Sequence, residues 1–354
     1  MRSLRVLFLP MFLAACTHNA THPQTTNSVE QRLRAAESAG VAADCFETRA
    51  AFDVGSATTR MMVADVDKCE QKLLSVVAKE ERGVPYKDDL ARSSSQEFSE
   101  ALQLRGVAVF KELYALAETN GAKKLAGTAT SAFRGARNAS AYVTRVKEET
   151  GVSLFIIEQT TEAEMGFLAA VNEPSVAADN VVVWDIGGGS MQFSARENAQ
   201  MVTSLVEMGS VGFKNEVLKK LKPKADLSAS PNPIGEKNMR RVLAMAKEHA
   251  LRNTTLQIRE LLKSRSVLGI GGVHASSILK QVGQTSEYTP EQLMDALKER
   301  VKFDDAKVGG TYAATDVTNL ALVLGYMQAL QIKSVRAINL NLTNGTILYP
   351  RFWN

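Results

Sequence analysis

Histidine, cysteine and long apolar runs are all scarce in this chain of 354 residues, and the scarcities remove whole classes of function. Of four histidines, His18 and His22 lie in a polar stretch near the N-terminus, which leaves too few for a zinc site built on histidines and little support for a Ser-His-Asp triad. No apolar stretch reaches the ~20 residues that a bilayer-spanning helix requires. A dense basic stripe is missing too: the formal charge is +4, and Arg2 and Arg5 contribute to it from a segment expected to be removed. Nucleic-acid binding therefore finds no support, whereas a small anionic substrate suits the balance. Hydrophobic residues at 45% and charged residues at 23% exclude a disordered or fibrous chain, and the length points to two domains.

The N-terminus does carry a targeting pattern. Arg2 and Arg5 precede a short apolar run, and Leu13-Ala14-Ala15 lead to Cys16. We read residues 1–15 as a secretory signal. The motif resembles the bacterial lipoprotein box, which makes Cys16 the lipidated N-terminus and 16–28 a polar tether; the competing reading, an uncleaved anchor, has too short an apolar run. The expected location is the cell envelope, lipid-anchored on the periplasmic side. Because Thr17 is not an aspartate, that means the outer membrane if the organism is Gram-negative. Cys45 and Cys69 then share a compartment that permits disulfides. Each flanks a predicted strand, about equally far from a turn near Ala57, so a hairpin sets them face to face. We expect a Cys45–Cys69 disulfide, with two unpaired thiols as the alternative.

Hydrophobic periodicity organises the remainder. A helical segment at 29–39 precedes strands at 50–54, 61–65 and 73–80, an antiparallel start to a sheet. Helices at 98–119 and 139–150 flank a short strand at 124–128, and a buried strand at 154–158 leads into a helix at 161–172. The opening pattern then recurs. Asp53-Val54-Gly55-Ser56 and Asp185-Ile186-Gly187-Gly188-Gly189-Ser190 each end a hydrophobic strand and begin a tight turn into a second strand. Two such turns a domain length apart suggest an internal duplication, with domains at 29–173 and 174–354 and a ligand cleft between them. A third glycine turn, Gly269-Ile270-Gly271-Gly272, leads into a helical run at 275–282; beyond it come a helix at 315–330 and a strand at 337–340.

Glycine beside an aspartate at a strand end lets backbone amides approach a phosphate closely. An acid in that position would repel the anion unless a cation stood between them, and magnesium, held largely through water, is the expected bridge. The plainer alternative is that Asp53 and Asp185 each cap a turn.

At this point the sequence resembles the exopolyphosphatase and guanosine pentaphosphate phosphatase family, from about Ala50 to the C-terminus. The matches are Asp53-Val54-Gly55-Ser56; Ala129-Thr130-Ser131-Ala132-Phe133-Arg134 with Ala136 and Asn138; Ile156-Ile157 followed by Glu162-Ala163; and Asp185 to Ser190. The resemblance implies an α/β chain of two actin-like ATPase (ribonuclease H-like) domains with an interdomain cleft. It implies hydrolysis of polyphosphate or another phosphoanhydride by metal-assisted water attack, without a covalent intermediate. By the same resemblance Glu162 is the catalytic base, with stabilisation of the helix dipole as its rival role. Glu164 fits that plainer role better, since Thr161 and Glu164 have capping-box spacing. Arg134 would clamp phosphate, and Asn138 would face the same site, unless either secures the loop instead. Asp185 corresponds to the metal-binding aspartate, with Asp53 and Gln192 beside it. Gly55, Ser56, Gly187, Gly188, Gly189, Ser190, Gly271 and Gly272 would hold phosphate oxygens.

Departures from the family pattern open a second reading. Gln192 stands where an acid is usual, Ala57-Thr58 replaces Asn-Ser, Val273 replaces a hydroxyl residue, and Thr315 precedes Asp316 where an arginine is common. Each weakens phosphate or metal handling, so the alternative is a catalytically weakened envelope protein that binds a phosphate-rich ligand or a protein partner. His274 is read as a helix-start residue with a satisfied ring rather than a phosphate ligand. The clusters Lys219-Lys220-Lys222-Lys224 and Arg240-Arg241 read as solvated helix faces. A homodimer is left open.

Overall fold

The computed structural model describes residues 28–353, so the leader and Cys16 lie outside the described residues. Helix α1 (Val29–Ser38) starts at a capping box between Ser28 and Gln31. The first sheet then opens as a meander of β1 (Phe46–Val54), β2 (Thr58–Asp67) and β3 (Lys72–Gly83). Cys45 and Cys69, just outside the β1–β2 ladder, are bridged, with Cα atoms 5.4 Å apart. Helices α2 (Tyr86–Arg92) and α3 (Glu100–Thr119) return the chain to β4 (Lys124–Ala129), parallel to β1. Then come α4 (Ser131–Gly135), α5 (Ala139–Thr150), β5 (Ser153–Ile156) and α6 (Gln159–Val171).

The second sheet repeats the meander with β6 (Val181–Ile186), β7 (Met191–Glu197) and β8 (Gln200–Val206). Helices α7 (Ser210–Leu221), α8 (Glu236–Asn253) and α9 (Leu256–Leu262) precede β9 (Ser266–Ile270), parallel to β6. A π-helical turn, Val273–Ile278, runs into α10 (Leu279–Val282). The chain closes with β10 (Glu287–Tyr288), α11 (Pro290–Arg300), α12 (Asp305–Val308), α13 (Ala313–Leu330), β11 (Val335–Ala337) and α14 (Leu342–Leu348). The first sheet has the order β3-β2-β1-β4-β5; the second, without its edge strand β10, reads β8-β7-β6-β9-β11, the same path repeated. This duplicated α/β unit is the actin-like ATPase architecture.

Side-chain alternation decides which way each aspartate points. Ala50, Phe52 and Val54 pack into the outer core with Phe110 and Tyr142, while Ala51 joins an inner core with Met165 of α6 and Ile347 of α14. Asp53 shares the inner face of Ala51. In the second sheet Val182, Trp184 and Ile186 face the α8 and α13 layer, whereas Val181 and Val183 pack on Phe167 and Ala170 of α6. Asp185 shares that inner face. Helices α6 and α14 thus lie between the sheets, and the two aspartates look toward them from opposite sides.

Local signals misplace some boundaries. Helix α6 begins at Gln159 after Glu158, so Thr161 is interior and forms no capping box with Glu164, whose carboxylate instead accepts the Tyr349 hydroxyl at 3.5 Å. The run after the third turn starts as a π-helix rather than an α-helix. The last strand falls at Val335–Ala337, earlier than its hydrophobic run suggested. Residue 174 does separate the two sheets, but the C-terminus recrosses it. Leu342, Ile347, Phe352 and Trp353 bury themselves against Met62, Ala64 and Val66 of the first sheet, with Arg49 stacked 4.8 Å from the Trp353 ring.

Candidate functional site

The two glycine hairpins have one geometry. Gly55 N–H donates to Thr58 O at 2.9 Å, and Gly187 N–H donates to Ser190 O at 2.9 Å. These amides close the turns, so it is the tips that face the cleft. The tip carbonyls are turned away and held: Ser56 O accepts from Lys87 N at 2.8 Å, and Gly188 O accepts from Val211 N at 2.8 Å. No described residue accepts from the amides of Ser56, Gly188 or Gly189. Lobe II's turn nests against lobe I: a Cβ on Gly189 would collide with Ser56 Oγ and Ser131 Oγ. Gly271 has a different task. Its amide is taken by Leu340 O at 2.8 Å, and at φ +86 it lets the Asp185 carboxylate lie where a Cβ would meet Oδ1 at 2.7 Å.

Between the hairpins stands Glu162, buried in the first turn of α6. Arg134 Nη1 donates to its Oε2 at 2.8 Å, and Ser190 Oγ of the other lobe donates to its Oε1 at 3.4 Å. The same Nη1 also donates to Ile157 O at 3.0 Å, so Arg134 holds the Glu162 carboxylate from behind and is not among the residues lining the cleft. Asn138 stands apart altogether. Its amide is consumed by the backbone of Phe98, accepting from N at 2.9 Å and donating to O at 2.9 Å, which secures the loop before α3.

A cleft of about 310 Å³ joins Asp53, Ser56, Glu162, Asp185, the Gly187–Ser190 turn and Gly271-Gly272. Burial pushes the Asp185 carboxyl up to about 8, helped by the charges of Glu162 and Asp53 and opposed by Arg60. Burial likewise raises Asp53 to about 6, offset by Arg60 and reinforced by Glu162. Three carboxylates line one cleft and raise one another's proton affinity, and no described residue donates a hydrogen bond to Asp185, so the set is electrostatically unfavourable unless a cation is held nearby. Gln192 is the cross-strand partner of Asp185, buried, and its Oε1 has no hydrogen-bond partner among the described residues. The donor set is therefore all oxygen, as a hard divalent cation prefers, with Asp185 and Asp53 available to hold it and Gln192 beside them.

Sequence reasoning missed Arg60, Glu81 and Tyr312, which line the same cleft. Arg60 had a readable signal. It pairs with Asp53 across the first hairpin as Gln192 pairs with Asp185 across the second, so the duplication places the two at equivalent positions. Arg60 Nε donates to Glu81 at 2.6 Å and its Nη1 reaches Asp53 at 3.4 Å. His274 is fully buried below the third turn, where Nδ1 lies 2.5 Å from the Tyr288 hydroxyl and Nε2 has no partner among the described residues. Burial holds its ring down to about 3, so it is neutral and only half satisfied. Lys222 caps the carbonyls of Ser230 and Asn232 rather than facing a ligand.

Comparison with known proteins follows the same lines. A model of the Ppx/GppA phosphatase family matches residues 62–349. Exopolyphosphatase 1 of Mycobacterium leprae is 29% identical over 143 residues, which are 40% of this chain and 41% of that protein. Exopolyphosphatase 1 of Mycobacterium tuberculosis (strain ATCC 25618 / H37Rv) is 28% identical over 144 residues, 41% of each chain. The alignments thus span about two fifths of these relatives' length. The crystal structure of the Aquifex aeolicus Ppx/GppA family member superposes with a TM-score of 0.67 at 16% identity, covering 86% of this chain and 98% of that one. A structure described as an exopolyphosphatase-like protein gives 0.69 at 19% identity, covering 86% and 97%. The matched span takes in Arg134, Glu162, Asp185 and the third glycine turn, and by that match the chain belongs to the Ppx/GppA phosphatase family.

Proposed function

We propose that this chain is an exopolyphosphatase-like phosphoanhydride hydrolase that releases the terminal phosphate of inorganic polyphosphate or a related anhydride. The observation that carries the reading is Glu162, a buried carboxylate fixed by Arg134 on one oxygen and by Ser190 of the opposite lobe on the other, between two amide-lined turns. Held so, Glu162 accepts the proton of a water whose oxygen bonds to the terminal phosphorus. The bridging P–O bond breaks, and its electron pair leaves on the oxygen of the shortened chain. The tip amides of Ser56, Gly188 and Gly189 bind the phosphoryl oxygens, and Arg60 offers a cation at the cleft wall. Magnesium on Asp185 and Asp53, with Gln192 orienting a water, would neutralise charge on the transferring group. Positioning and charge neutralisation supply most of the rate in phosphoryl transfer.

The leader and Cys16 favour a lipid-anchored protein on the periplasmic side, and the Cys45–Cys69 bridge suits an oxidising compartment. A substrate panel tests the assignment: purified protein should release phosphate from polyphosphate and tripolyphosphate in magnesium, little in EDTA, and little from a phosphate monoester. Monoester hydrolysis of equal rate would refute it. The second reading, a binding protein with weakened catalysis, is favoured by one feature, the neutral Gln192 opposite Asp185. It gains if native turnover is a trace that Gln192→Glu raises sharply, and fails if the native protein already turns over well.

A further inference from the structure

Above the carboxylates, at the mouth of the cleft, a chain of side chains ties one lobe to the other. Tyr312 Oη, at the start of α13, donates to Glu81 Oε1 of β3 at 2.6 Å. The other oxygen, Glu81 Oε2, accepts Arg60 Nε at 2.6 Å, and Arg60 Nη1 reaches Asp53 at 3.4 Å. The two ends of this chain differ in stiffness. Glu81 sits on a strand paired along its length with β2. Tyr312 arrives on the segment 309–312, where Gly309 and Gly310 both hold positive φ, +71 and +83, and a Cβ at Gly309 would meet nothing. Glycine pairs of this kind change conformation with little steric resistance. Glu81 and Arg60 also keep solvent contact, with side-chain exposures of 38% and 25%, so the pair can be reached from outside.

We propose that Glu81 and Tyr312 form a latch across the cleft mouth, which a polyanionic ligand opens by taking Arg60 away from Glu81. The Glu81 carboxylate on Arg60 Nε occupies a donor that phosphate oxygens would take, because a guanidinium binds both groups through the same planar donors. Once Arg60 turns to a bound anion, Glu81 has lost its cation and faces a like charge. It withdraws, the Tyr312 hydroxyl loses its acceptor, and the glycine-hinged segment is released. A neutral ligand leaves Arg60 with Glu81 and the mouth tied. The latch thus selects ligands by charge before they reach Glu162, which makes Glu81 and Tyr312 specificity-determining residues. The identity of the ligand rests on the phosphoanhydride reading; the latch itself does not.

Hydrogen–deuterium exchange of the whole protein in EDTA, with and without sodium tripolyphosphate, tests both parts. Tyr312→Phe removes the hydroxyl alone, and Glu81→Gln removes the charge while keeping an acceptor. Tyr312→Phe should exchange about fivefold faster across 309–312, the effect of losing one exposed charge-assisted hydrogen bond, and Glu81→Gln faster by a smaller factor, since it loses only the charge, with α8 and the sheets unchanged. Tripolyphosphate should bring wild type toward the variants' rates and leave the variants where they are. In magnesium both variants should show a lower KM for tripolyphosphate at unchanged kcat. Equal exchange in wild type and variants overturns the latch, and so does slower exchange of the segment in wild type on adding tripolyphosphate. If the variants exchange faster but wild type cleaves no anhydride, the latch stands and the hydrolase reading falls. If wild type cleaves anhydrides and the variants exchange like it, the latch alone falls.

Discussion

Asp185→Asn should make the metal-free protein more stable while removing its response to magnesium. Asp185 is held up to about 8 by burial and by the charges of Glu162 and Asp53, against an ordinary value of 3.8. Moving a carboxyl from 3.8 to about 8 corresponds to about 6 kcal/mol in a fully dry site. The carboxylate is only partly buried and looks into an open cleft, so screening by water leaves about a third of that, about 2 kcal/mol. The sign follows from the direction of the shift. A raised carboxyl contributes stability below pH 3.8 that is lost as the pH climbs through 8, so the penalty is complete in alkaline buffer. In EDTA at pH 8.5 the variant should therefore melt about 3–5 °C above wild type, with the gap closing toward pH 5. Magnesium at 100 times its dissociation constant should raise wild type by about 2.7 kcal/mol and the variant by little. Thermal melts at pH 5, 7 and 8.5, each with EDTA and with magnesium, read all of this. A variant that melts at or below wild type at pH 8.5, or that responds fully to magnesium, would refute the electrostatic account.

Two further perturbations test the frame around the site. The Cys45–Cys69 bridge closes a loop with a sequence separation of 24, so replacing both by serine should cost about 3 kcal/mol in guanidinium unfolding; equal midpoints for wild type with and without reductant would show that the bridge does not form. Burial of His274 depresses its ring to about 3, so stability is full above pH 6.5 and declines as the pH falls below it. Between pH 7 and pH 5 this contributes about 2 kcal/mol of loss, which His274→Gln should abolish; an unchanged pH slope would mean the ring charges freely.

How far the sequence alone reached depended on how local each feature is. The aspartate–glycine hairpins were readable because a hydrophobic strand, an acid and a glycine turn are contiguous, and their recurrence announced the duplicated sheet. Glu162 was readable only through its family motif, and its helix start was misjudged because Thr161 and Glu164 imitate a capping box that Glu158 forestalls. Arg134 beside a phosphate motif reads as a clamp; tertiary packing instead sets its Nη1 on Glu162. Asn138, one helical turn further on, is claimed by Phe98. Arg60 became visible once the hairpins were superposed by register, but nothing near Tyr312 in sequence announces a partner 231 positions away. The return of the C-terminus to the first sheet was hidden for the same reason, since burying Trp353 against Arg49 is a long-range contact.

The most direct measurement is the initial rate of phosphate release from polyphosphate, in magnesium, by wild type and Glu162→Gln at equal folded concentration. Glutamine keeps the size of the side chain and an acceptor for Arg134 but cannot take up a proton. If Glu162 removes the proton from the attacking water, the rate should fall by about 10²–10⁴-fold with the magnesium-induced rise in melting temperature retained. Equal rates in the two proteins would contradict the role given to the carboxylate between the lobes.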